Sequence, residues 1–68
     1  MTKIQLHYSL DYLHREPAAN HWIKLYCVRN RIERVINEDT VWLTFKSYWQ
    51  QMCFVHHGNR EFPYFEFL

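Results

Sequence analysis

Ile4, Leu6, Tyr8, Leu10 and Tyr12 alternate with polar residues without a break. A period of two puts those side chains on one side of an extended chain, so the segment reads as a strand with one face on a core. On a helical wheel the same residues split. Leu6, Leu10 and Leu13 fall on one side, and Ile4, Tyr8 and Tyr12 fall nearly opposite. A strand is therefore expected over residues 3–13. His14-Arg15-Glu16-Pro17 ends it, because proline lacks the amide a ladder needs but suits the first turn of a helix. A helix starting at or just after Pro17, with Asn20 as a candidate cap, is the natural continuation.

From Trp22 the period becomes helical. Leu25, Val28, Ile32, Val35 and Ile36 share a stripe, with Trp22 at its margin and Lys24, Cys27, Arg31 and Arg34 opposite. A β-hairpin turning at Arg29-Asn30-Arg31 is the competing reading, favoured by the β-branched residues. Asp39 or Thr40 then suits the cap of a second helix. Its stripe would be Val41, Phe45, Tyr48, Met52 and Val55, flanked by Trp42 and Trp49. Leu43 and Phe54 break that stripe by landing among polar positions. A strand over residues 40–45 is the alternative there. Gly58, the only glycine, stands where a helix C-cap would put it. Residues 61–68 alternate again, Phe65 and Phe67 against Phe62, Tyr64 and Leu68. Pro63 confines that run to an edge strand or an extended tail.

The expected fold is thus α+β, one compact domain over residues 1–68. Its order is β-α-α-β, with two amphipathic helices against a short sheet; an all-β meander is the alternative. Two strands alone are marginal. They must lie flat on the helices or gain a strand from another copy or another protein. A homodimer is compatible with every functional reading.

Sixty-eight residues bury only a thin core, which large side chains can reinforce. Aromatic residues make up 19% of the chain, more surface than so small a core encloses. Surplus Trp and Tyr are the residue types that dominate binding hot spots. Trp42, Phe45 and Tyr48 fit the core. Tyr26, Leu43, Phe54, Tyr64, Phe65 and Phe67 are the candidate partner-binding residues.

A net charge of +1 excludes an acidic DNA mimic and a strongly basic coat protein. Lys24, Arg29, Arg31 and Arg34 nevertheless form a candidate basic face on the first helix, suited to nucleic acid or an acidic surface. Cys53, His56 and His57 are the tightest cluster of reactive groups. Zinc sites normally show two paired motifs and only one pair is present, so no metal site is expected. No triad-like set or phosphate loop is apparent, and nothing calls for a cofactor. The cysteines read as reduced. With no long apolar run, the chain reads as soluble and cytoplasmic, with no membrane partner.

The expectation is therefore a small non-enzymatic module that binds a larger protein or complex. Its profile resembles, in composition only, the phage and mobile-element inhibitors that occlude host machinery, including defence systems. Nucleic-acid binding through the basic face is the alternative.

Overall fold

The computed structural model describes residues 3–68. Six elements follow in order: β1 (Ile4–Ser9), α1 (Leu10–Arg15), α2 (Pro17–Asn30), β2 (Glu33–Asn37), β3 (Thr40–Phe45) and α3 (Tyr48–Glu61). The class is α+β, and the elements share a single core. The sheet is antiparallel, three-stranded and ordered β1-β3-β2.

β1 stops earlier than its alternation suggests. The Ser9 side chain accepts a hydrogen bond from the Tyr12 amide at 3.0 Å and so caps α1, with Asp11 in the first turn. A local cap thereby overrides the last steps of the period-two pattern. Glu16 joins the two helices, and Pro17 opens α2 as expected.

The stripe expected on α2 is corrected. Leu25 is exposed and Val28 is 78% exposed, whereas Ala19, Ile23 and Cys27 are buried, each four residues from the next. Alanine and cysteine carry little apolar weight in a periodicity, so the real core face was fainter than a false one. α2 ends at Arg31, which adopts the left-handed conformation (φ 55°), and the Ile32 amide reaches back to the Cys27 carbonyl at 2.9 Å.

Val35 and Ile36 lie in β2, not in a helix, and β2 turns into β3 at Glu38-Asp39. The alternative of a hairpin turning at Arg29-Asn30-Arg31 is corrected too, because the chain up to Asn30 is helical and the hairpin that forms turns at Glu38-Asp39. β3 is the strand that the alternation of Val41, Leu43 and Phe45 allowed. All three are buried, facing Tyr8, Leu6 and Ile4 of β1.

α3 starts later than expected. Ser47 caps it by accepting from the Gln50 amide at 3.1 Å, while the Gln50 side chain accepts from the Lys46 amide at 2.8 Å. Its core face is Phe54 and Gly58. Gly58 is therefore no C-cap. A Cβ there would stand 2.6 Å from the Phe67 ring, so the helix and the ring meet only where a side chain is missing.

The last segment forms no strand. It folds back so that Phe65 and Phe67 are buried, while Tyr64 and Leu68 face solvent. The Tyr8 hydroxyl donates to the Phe67 carbonyl, and the Glu66 amide donates to the Tyr12 hydroxyl at 3.0 Å. Phe54 is the hub of the core, with Trp22, Tyr26, Phe45 and Phe67 ring centroids between 5.4 and 5.6 Å away.

Candidate functional site

The outer side of α3 carries three large apolar side chains exposed to solvent. Residues spaced three and four apart share a helix face. Since Phe54 and Gly58 point inward, Trp49, Met52 and His56 must point outward. Tyr48, Trp49 and Met52 are 67%, 76% and 64% exposed. From Ser47 to Asn59 the sequence holds no Asp, Glu, Lys or Arg. The exposed face is therefore apolar and aromatic, without fixed charge until Arg60, one turn beyond His56 at the end of α3.

Two shallow depressions flank the line from Met52 to His56. One, of about 220 Å³, is walled by Trp49, Met52, Cys53, His56 and His57. The other, of about 260 Å³, is walled by Gln51, Met52, Val55, His56, Asn59 and Leu68. Each has room for about one bulky side chain of a partner. Depletion of charge with enrichment in Trp, Tyr and Met is the composition of an interface core.

The expected partner-binding residues scatter. Leu43 and Phe54 are fully buried, and Phe65 and Phe67 nearly so. Their assignment to a binding surface is corrected: they build the core. Leu43 and Phe54 looked anomalous only because they were set on the wrong helical frame. Tyr26 is half-buried and packs tilted against Trp22, with ring centroids 5.0 Å apart. Tyr64 is exposed, as a binding residue needs to be. Trp42 is half-buried beside His7, with ring centroids 4.8 Å apart, on the sheet face that no helix covers. Tyr48, expected in the core, is exposed instead. Trp49 and Met52 fall on the flank and the core stripe of the expected helix, and the observed start of α3 turns both outward. The signal that could have exposed them is the Ser47–Gln50 cap, which sets the true phase of α3.

The basic face is also corrected. Lys24 and Arg29 are exposed on α2, and Arg31 is exposed beyond its end. Arg34 belongs to β2, opposite Leu43 on the core side of the sheet, and its Nε has no hydrogen-bond partner. The four cations thus do not form one helix face. The tip of the neighbouring hairpin carries Glu38 and Asp39.

Neither cysteine is bridged. Burial pushes the Cys27 thiol up to about 11, against an opposing pull from Arg34, so it stays protonated at neutral pH. Cys53 shares a wall with His56 and His57. Among the described residues, no group of three or more His, Cys, Asp or Glu is placed to hold a metal ion. Nor is any helix among them long and apolar enough to cross a membrane. Comparison with protein-family models, curated proteins and solved structures finds no match to this chain.

Proposed function

We propose that the protein is a small non-enzymatic interaction module that docks the outer face of α3 onto a larger protein. One observation carries this reading: Tyr48, Trp49 and Met52 are exposed together on a helix face that carries no fixed charge before Arg60 in its last turn. Such a surface gains from apolar burial and offers a phosphate backbone only Arg60 as a fixed charge. The two depressions beside Met52 would take anchor side chains from the partner, with Trp49 as the hot spot. With so little of its own volume to spare, the module would act by covering a partner's surface, as an inhibitor does, or by recruiting it.

The test compares the protein with Trp49→Asp and Met52→Asp variants in affinity capture from lysate, with and without nuclease, read by mass spectrometry. The expected result is one stoichiometric protein that survives nuclease and is lost with either variant. Both positions are exposed, so the melting temperature should stay within a few degrees of the parent. Material that vanishes with nuclease and ignores both substitutions would overturn the reading. It would favour nucleic acid held by Lys24, Arg29 and Arg31.

A further inference from the structure

β1 lies at one edge of the sheet, and the structure shows which of its backbone groups are unpaired. The Leu10 amide donates to the Asp39 carbonyl at 2.8 Å, one step beyond the last ladder pair, Ser9 with Thr40. Amide direction alternates along an antiparallel strand. The backbone groups of Ile4, Leu6 and Tyr8 therefore face β3, and those of Gln5, His7 and Ser9 face outward.

A row of outward amides and carbonyls is a template for another strand, and soluble proteins normally blunt it with charge, proline or a short edge. The opposite edge follows that rule: β2 is shorter and carries Glu33 and Arg34. β1 does not. From Ile4 to Ser9 it holds no charged residue and no proline.

We infer that the chain dimerises by pairing β1 with β1 of a second copy, antiparallel about a two-fold axis at Leu6. Charge and pleat both fit this occupant. In that register Leu6 meets the partner's Leu6, and Ile4 meets the partner's Tyr8, so each core-facing row continues into the other. Gln5 meets the partner's His7 through outward backbone groups on both sides, as a hydrogen-bonded pair requires. No like charges face each other. Beside the same edge runs a groove of about 530 Å³, walled by Gln5 to Ser9, Tyr12 and Glu66 to Leu68. Leu68 is 87% exposed there. A second sheet placed edge to edge would cover this wall, giving six continuous strands with the helices on one side. Leu68 also walls one of the two α3 depressions, so the surfaces adjoin there, but Trp49 and Met52 lie outside this groove.

Sedimentation equilibrium of the full chain tests this. The expected species has twice the chain mass; a monomer across the accessible concentration range overturns the inference. His7→Pro removes one outward amide and leaves the ladder to β3 intact, so a folded monomer is expected. Should that variant fail to fold, Gln5→Lys with His7→Lys sets lysine against lysine across each central rung, and a folded monomer is again expected. A folded lysine variant that remains dimeric overturns the proposal. So does a dimer that is lost in Trp49→Asp, which would place the second copy on α3.

Discussion

Cys27 shows how much a single position can carry. It is one of three small or medium residues by which α2 meets the core, and its thiol is held above its ordinary range by burial. An unfolded thiol releases its proton near pH 8.5. The folded one keeps it to about pH 11. The folded state therefore binds more protons between those limits, and stability must fall as pH rises through them. The full effect is roughly 3 kcal/mol by linkage. Urea midpoints measured from pH 7 to 10.5 should decline in the parent. They should start lower and run flatter in Cys27→Ala. Burial raises the Tyr8 hydroxyl in the same direction, so some decline persists above pH 10 in both. An equal slope in the two proteins would show that Cys27 is not the source. Cys27 is also where reading residues by hydrophobicity goes astray. A buried Ala19-Ile23-Cys27 stripe looks weak beside the exposed Leu25 and Val28, although only the first has neighbours to pack against.

Elements were legible where local chemistry and periodicity agreed. The alternation of Ile4, Leu6 and Tyr8 gives β1, and Pro17 marks the start of α2. They were misjudged where a cap or a turn cut across a pattern. Ser9 and Ser47 each begin a helix within an apparently continuous apolar rhythm. The hairpin between β2 and β3 was hidden because its turn lacks glycine: Glu38 sits at φ 58°, a conformation costly for a residue with a Cβ. Glu38→Gly should relieve that cost and stabilise the protein by about 0.5–1 kcal/mol, after allowing for glycine's extra freedom when unfolded. Thermal melts of parent and variant measure it; a lower melting point would mean that the Glu38 side chain contributes more than its backbone costs. The functional face depended on the same boundary. Once α3 begins at Tyr48, Phe54 turns inward and Trp49 outward, so an error in element phase became an error in site.

The whole molecule is closed by its least regular part. After α3 the chain has no helix or strand, yet Phe65 and Phe67 enter the core, and the segment is tied to β1 and α1 through Tyr8 and Tyr12. Aromatic side chains thus take the place of a fourth strand, whereas the aromatic surplus of the composition points Phe65 and Phe67 toward a partner. Protection from solvent exchange need not follow regular structure. The Glu66 amide has no ladder around it, but releasing its bond to Tyr12 disturbs both buried rings. Under native conditions it should exchange as slowly as the amides of β3, only when the entire fold opens, whereas the amides at the Glu38-Asp39 tip should exchange by local fluctuation. Amide exchange followed by NMR distinguishes the cases, and a fast Glu66 amide would mean the tail breathes on its own. A segment that opens only with the rest of the protein would also give a protease no early foothold between Phe62 and Leu68, so cleavage there would wait for the whole fold to open.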